Sequence, residues 1–503
     1  MDLLVKHATT VFDCARERSE EPALIDPSGV LSWAQVAERV ARMANALRAF
    51  RFPEGSRLAV LGANCADTIL AYAAAAWAGV GCILINYHLT ASEVEYLLRD
   101  GNARAIWASP SLTGTAAAAC AQVDVSVLDE VADPYWGVLL RQSDCSPPVT
   151  EHPADLDLIY TSGTTGWPKG VQVPTRMTPT VAGRLDLYER HHCVGLGPHL
   201  VVSPLYHSGP HAAVGLLLMG HKVVVIDRFD AEQTLEAIEE HRIGTTVMVP
   251  THFVRLLSLP KERREAADVS SIKMIAHTGS LCPIPLKRAV IEWFGPVLRE
   301  AYGGTESGVI SAITSEEWLT HPGSVGQANP PFHPLVLDEA GAECPPGADG
   351  VLHFVDDSGE GIRYYNDPEK TAAAHVVPGT FTLGDIGHVD EDGYLYITGR
   401  VTDMVISGGV NIYPAECERI LADHPSVRDV ALFGIPDDEM GECLVGLISV
   451  KEESITVEQL LDFCRSRIAR YKVPKQLRVV DDIPRSPMGK VDKRALRYAF
   501  LDE

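Results

Sequence analysis

Eleven residues, Tyr160, Thr161, Ser162, Gly163, Thr164, Thr165, Gly166, Trp167, Pro168, Lys169 and Gly170, directly follow the mainly apolar run that starts at 156. Glycines let backbone N–H groups approach an anion closely, and hydroxyls add further donors. Lys169 adds a positive charge. The combination suits a phosphate. It is not a Walker loop, because the lysine does not directly follow a glycine after four intervening residues. A flexible polar surface loop is the alternative, and the position after a strand-like run argues against it.

Four further segments carry usable chemistry. Tyr302, Gly303, Gly304, Thr305 and Glu306 follow another strand-like run. Ligands in open α/β sheets bind at the carboxyl ends of strands. There Tyr302 could lie beside a purine, Thr305 could bond a phosphate, and Glu306 is a hard oxygen ligand suited to Mg²⁺. Asp385 stands between Gly384 and Gly387, and the segment 394–400 ends in Arg400. A carboxylate accepts both hydroxyls of a ribose; a β-turn aspartate is the other reading. Segment 403–416 contains Gly408 and Gly409, and segment 484–490 ends in Lys490 after Pro and Gly punctuation. A lone lysine would otherwise be a solvated charge.

The elements that must position these residues follow an alternating pattern. Strands are expected at 222–226, 245–249, 272–276 and 297–302, with helices at 230–241, capped by Asp230, and 283–294. That rhythm predicts parallel sheets with helices packed on them. Prolines at 330, 331, 334, 345 and 346 punctuate a β-rich region. The last hundred residues read as a small α+β unit, with strands at 429–433, 444–450 and 477–480, a helix over 456–470 and a terminal helix from 492. The boundary falls near 399–402.

The chain has 503 residues, too many for one compact core. With 43 basic and 67 acidic residues its formal net charge is −24, which argues against nucleic acid or an anionic membrane as partner. A local positive pocket could still take ATP. Eleven dispersed cysteines fit a reducing cytosol, and a cytoplasmic location is expected. The charged N-terminus does not read as a signal peptide. The uncharged run 68–85 has the length of a membrane span. Its alanines and the breaks at Gly79 and Gly81 instead predict a small-residue helix followed by a buried strand at 82–85.

In this order and spacing, the five segments resemble the adenylate-forming superfamily of acyl-CoA synthetases, peptide-synthetase adenylation domains and luciferases, over residues 20–498. The resemblance implies an α/β fold: a large N-terminal domain, 1–399, of two β/α subdomains and a β-barrel, a hinge at 400–402, and a small mobile α+β domain, 403–503. It implies two steps. A carboxylate attacks the α-phosphate of ATP, giving acyl-AMP and pyrophosphate, and a nucleophile, usually the thiol of coenzyme A, then displaces AMP.

On this resemblance Thr161, Ser162, Gly163, Thr164, Thr165, Gly166 and Lys169 would hold the β- and γ-phosphates. Thr305 and Glu306 would take the α-phosphate and Mg²⁺. Thr278, Gly279, Tyr302 and Gly303 would border the nucleotide, and Asp385 and Arg400 would hold the ribose. Lys490 would bridge the attacking carboxylate and the α-phosphate. His207, Ser208, Gly209, His252, Phe253, His277 and Gly304 would form the acyl pocket, with His207 gating it or touching the carboxylate. His88, Gly408, Gly409, Met440, Tyr471 and Lys472 would line the path of coenzyme A, and Thr402 would be the hinge.

The fourth segment looks like that of acyl- and aryl-CoA synthetases, and no carrier-protein domain is expected after Glu503. The stretch 277–306 is similar to synthetases for bulky aliphatic, steroidal or aryl acids, and also to stand-alone amide bond synthetases. Three departures stand out: Thr402 replaces the usual acidic or lysine hinge residue, His88 stands where relatives carry arginine, and Met440 stands where aryl-CoA ligases often carry tryptophan. The last two weaken the expected hold on coenzyme A. The expected activity is therefore an acid–CoA ligase using ATP, Mg²⁺ and coenzyme A. An amide synthetase passing the adenylate to an amine is the first alternative, and a non-catalytic nucleotide-binding regulator the second. No integral membrane association is expected, and a homodimer is left open.

Overall fold

The computed structural model describes every residue except 1–9, 129–133, 146–156, 162–167, 173–194, 280, 281, 283, 339, 401–404, 413, 452–454, 485–490, 492 and 503. Two of the three sheets contain a run of several parallel strands. In the smaller, Arg57–Leu61, Cys82–Ile85, Ala103–Ala108 and Leu158–Thr161 run parallel, and Lys169–Gln172 pairs antiparallel on one edge. Every residue of the first two strands is buried, as expected where helices cover both faces. One covering helix is Ala66–Ala78, which ends where Gly79 turns left-handed. It occupies the uncharged run in the chain. Among the described residues no helix is long and apolar enough to cross a membrane.

In the larger sheet Val223–Val225, His199–Val201, Thr245–Met248, Met274–His277 and Leu298–Gly304 are successive parallel neighbours. The helix Ala231–His241 begins at Asp230, whose side chain accepts the N–H of Gln233. After Gly304 the chain reverses into Gly308–Thr314, and the rest of this sheet is antiparallel through Ser324–Ala328, Leu395–Arg400, Thr380–Val389, Gly350–Asp356 and Phe332–Leu337. These later strands have their own core around Phe332, Leu352, Phe354 and Phe381.

The C-terminal sheet starts with Val405–Ser407 and is built on the long hairpin of Val427–Asp437 and Gly441–Val450. Its core joins Cys417, Leu421, Leu432, Leu460 and Leu477. The expected helix over 456–470 is shorter: Val457–Arg465, closed at its start by a capping box between Thr456 and Gln459. Beyond it, Ala469 and Tyr471 pack into the core of the first β/α subdomain, so the helix must end early to release them.

Candidate active site

The two glycines at 303 and 304 end a strand whose hairpin partner lies very close. A Cβ on Gly303 would meet the carbonyl oxygen of Gly308 at 2.0 Å, so only glycine fits there. The turn that follows is tied by Gly304 N–H donating to Ser307 Oγ at 3.0 Å, and it presents Thr305 and Glu306 to one large cleft. Glu306 has no hydrogen-bond or ion-pair partner among the described residues. Tyr302 Oη donates to Asp385 Oδ2 at 2.8 Å. Asp385 is almost fully buried and sits opposite Arg400 in the antiparallel register. Nothing is described for the Arg400 side chain.

The cleft has a volume of about 2500 Å³, more than the several hundred Å³ of an ordinary single-ligand pocket. Thr161, Tyr302, Thr305 and Asp385 border one part of it. His207, Ser208, Gly209, His252, Thr278 and Gly279 border the same cleft. Ser162, Gly163, Thr164, Thr165, Gly166, Thr402 and Lys490 lie outside the described residues. Lys169 is not on the cleft wall; its Nζ pairs with Asp367 Oδ2 at 2.9 Å, because its strand turns it towards the start of the helix Pro368–Ala373.

Burial makes the pocket histidines neutral. It pulls His207 down to about 4, and Nε2 of that ring is buried with no hydrogen-bond partner among the described residues. His252 is held at about 3 by burial and then by Arg255, and it stacks on Phe229 with centroids 4.1 Å apart. One expected pocket residue is placed differently: Phe253 is fully buried in the hydrophobic core and does not border the cleft. His277 borders the cleft, although it is fully buried. The His277 ring lies 5.5 Å from Phe253 and 3.7 Å from Glu300, whose carboxylate takes Lys287 at 2.6 Å.

The small domain also contributes to the cleft wall. Gly408 and Gly409 make the turn between Val405–Ser407 and Val410–Ile412, and both have positive φ. A Cβ on Gly409 would meet the Val249 side chain at 3.1 Å, and one on Gly279 would lie 3.9 Å from Gly409 O. Met440 packs over Gly408. His88 is exposed beside Tyr87 and Tyr471 and does not border the cleft. Lys472 was expected to meet coenzyme A; it is 3 % exposed, and its Nζ is taken by Glu416 and Glu93.

The sequence reading missed Lys370. This residue borders the cleft, with Nζ 3.6 Å from the Tyr364 ring centroid. Burial first, and Lys169 second, lower its ammonium to about 8, against the opposing pull of Glu306 and Asp367. The only sequence signal was Asp367-Pro368, a helix start that places the first turn.

A parallel sheet with an antiparallel extension, a small docked domain, and a large cleft that holds a buried carboxylate, a glycine hairpin and two neutral histidines make a two-domain protein with one shared site. Residues 11–358 match the AMP-binding enzyme family, and residues 416–490 match the AMP-binding enzyme C-terminal domain. The chain belongs to this family, within the adenylate-forming superfamily and close to its acyl- and aryl-CoA ligases. It is 33% identical over 484 residues to an indoleacetate–CoA ligase of Aromatoleum aromaticum, covering 94% of this chain and 93% of that one. The amide bond synthetase McbA of Marinactinospora thermotolerans matches at a TM-score of 0.82 and 26% identity, covering 96% and 97% of the two chains. A double mutant of the o-succinylbenzoate CoA synthetase MenE of Bacillus subtilis, bound to the product analogue OSB-NCoA, matches at 0.81 and 26% identity, covering 97% and 98%. MenE in complex with its acyl-adenylate intermediate matches at only 0.65.

Proposed function

We propose that this enzyme adenylates a bulky aliphatic, steroidal or aryl acid with ATP and passes the acyl group to coenzyme A. The observation that carries the reading is the single cleft joining Asp385 and Glu306, on one side, to the pocket of His207, Ser208 and Gly209 and the Gly408–Gly409 turn on the other. Asp385, oriented by Tyr302, accepts the ribose hydroxyls. Glu306, which has no hydrogen-bond or ion-pair partner among the described residues and only the longer-range charge of Lys370 near it, fits Mg²⁺, which would neutralise phosphate charge. Neutral His207 can direct the acid carboxylate without repelling or trapping it as an ion. Small residues, Ser208 and Gly209, leave room for a wide acid. The higher whole-chain similarity to the MenE complex with a coenzyme A product analogue than to its adenylate complex supports a second-step arrangement of the domains. The dispersed cysteines, all free among the described residues, support a cytoplasmic setting.

Lys370 joins the phosphate site in this reading. A cation with Glu306 as an opposing charge fits the pyrophosphate end of ATP. Lys370→Met should lower kcat/KM for ATP about tenfold or more, the scale of a lost hydrogen bond to a charged group. The lysine is protonated below about 8 and neutral above it, so wild-type ATP saturation should weaken as pH rises through that value. Steady-state kinetics from pH 6 to 10 check both points, and the variant should lack this limb of the profile.

A second reading, transfer to an amine, is favoured by the acceptor rim. Asp437, Asp438, Glu439 and Glu442 border the cleft there. Arg255, Lys475 and Arg497 are each paired with one of these acids. Three of the four acids are thereby neutralised, and Asp438, in no ion pair among the described residues, is the charge left to attract a cation. Incubation with ATP, a panel of acids, and either coenzyme A or amines, read by product mass, separates the two. Thioester is the expected product; amide with no thioester would overturn the coenzyme A assignment.

A further inference from the structure

Residues 469–472 follow the helix Val457–Arg465 of the small domain, yet they pack into the large one. Ala469 is 3 % exposed within the core that contains Ile85 and Leu89, and Tyr471 lies against the same core. Asn86 Nδ2 donates to Tyr471 Oη at 2.7 Å. Lys472 then spans both domains. Its Nζ donates to Glu416 Oε2 at 2.7 Å, on the small-domain helix Pro414–Ala422, and to Glu93 Oε1 at 3.1 Å, on the large-domain helix Ala91–Asp100. Glu93 also accepts, through Oε2, from Thr90 N–H at 2.9 Å and Thr90 Oγ1 at 3.0 Å, which completes that helix's capping box.

All three charged groups are sealed from water: Glu93 is 8 % exposed, Glu416 3 % and Lys472 3 %. This sets them apart from the other cross-domain ion pair described, Arg255 with Glu439, whose side chains are 39% and 62% exposed. Exposed pairs contribute little. Buried pairs add little net stability either, but they penalise every arrangement that leaves one charge buried alone, and so can select a register. Docking the small domain anywhere that covers Glu93 without delivering Lys472 strands a carboxylate. The observed docking delivers it, and the same docking brings Gly409 against Val249.

We propose that Glu93, acting on the Lys472–Glu416 pair, is an electrostatic latch that selects this docked arrangement, and that Glu93 and Lys472 are positioning residues for the acceptor step. The second clause rests on the proposed function; the first does not. Neither side chain is asked to touch the reacting atoms.

Glu93→Gln in the full chain tests it. Glutamine serves the capping box as well as glutamate does, so the helix start is kept while the charge facing Lys472 is lost. Acid-dependent pyrophosphate exchange should stay within about twofold of wild type, and transfer from supplied acyl-adenylate should fall about tenfold or more, as the docked population falls. Hydrogen exchange read by mass spectrometry should rise in segments 86–94 and 469–473 and stay unchanged in the buried strand Arg57–Leu61. Unchanged exchange in the two segments would overturn the latch, whatever acid the enzyme uses. Faster exchange there with an undiminished transfer step, or with both steps lost equally, would overturn the positioning role. Absence of acid-dependent exchange in wild type itself would count against the proposed function alone, since the hydrogen-exchange comparison still decides the latch.

Discussion

Replacing Lys490 by alanine should lower acyl-adenylate formation by roughly two to three orders of magnitude, equivalent to about 3–4 kcal/mol of lost transition-state stabilisation. Transfer from supplied acyl-adenylate should stay close to wild type. The asymmetry follows from where charge moves. In the first step an anionic carboxylate attacks an anionic phosphate, and a fixed cation between them offsets the repulsion. In the second step the acyl–phosphate bond already exists, and a neutral or thiolate nucleophile attacks carbon. Lys490 lies outside the described residues, but its flanks are anchored: Ile483, Leu496 and Phe500 are buried together against Phe433. Pyrophosphate exchange and single-turnover transfer, measured on the same variant, check the split; equal loss in both would contradict a role confined to adenylation.

The mirror-image result is expected for Gly409→Ala. At φ +77 any side chain is strained, at a cost of about 1–3 kcal/mol. That strain applies wherever the small domain sits. The contact with Val249, at 3.1 Å from the added Cβ to two of its methyls, applies only in the docked arrangement. The variant should keep adenylation within a few-fold and lose transfer by about tenfold to a hundredfold, because the docked state alone bears the clash. Val249→Ala, which removes the opposing methyls, should recover part of the transfer rate in the double variant. No recovery would mean that Gly409 acts through backbone freedom and not through this approach.

Residues whose role is set locally were legible from sequence. Asp230 caps a helix, the alanine-rich run ends at Gly79, and Gly303 sits where a hairpin closes. Each is determined by neighbours within a few positions. The misplacements have another origin. Phe253 was grouped with the pocket beside His252, but helix packing turns its ring into the core. Lys169 was expected to hold phosphate and Lys472 to line the path of coenzyme A, and each has a carboxylate partner far away in sequence, Asp367 and Glu93. No window along the chain contains those pairs. Lys370 was missed for the converse reason: it sits in an ordinary polar helix turn, and only the fold brings it near Glu306.

The central claim is that the carboxylic acid is activated as an adenylate. Its most direct test is exchange of labelled pyrophosphate into ATP by the full-length enzyme with Mg²⁺, across a panel of aryl, steroidal and branched aliphatic acids and without any acceptor. Exchange that depends on the acid, and that disappears in Lys490→Ala, is the predicted result. Acyl-CoA or amide formed without acid-dependent exchange, or no exchange with any acid of the panel, would contradict it.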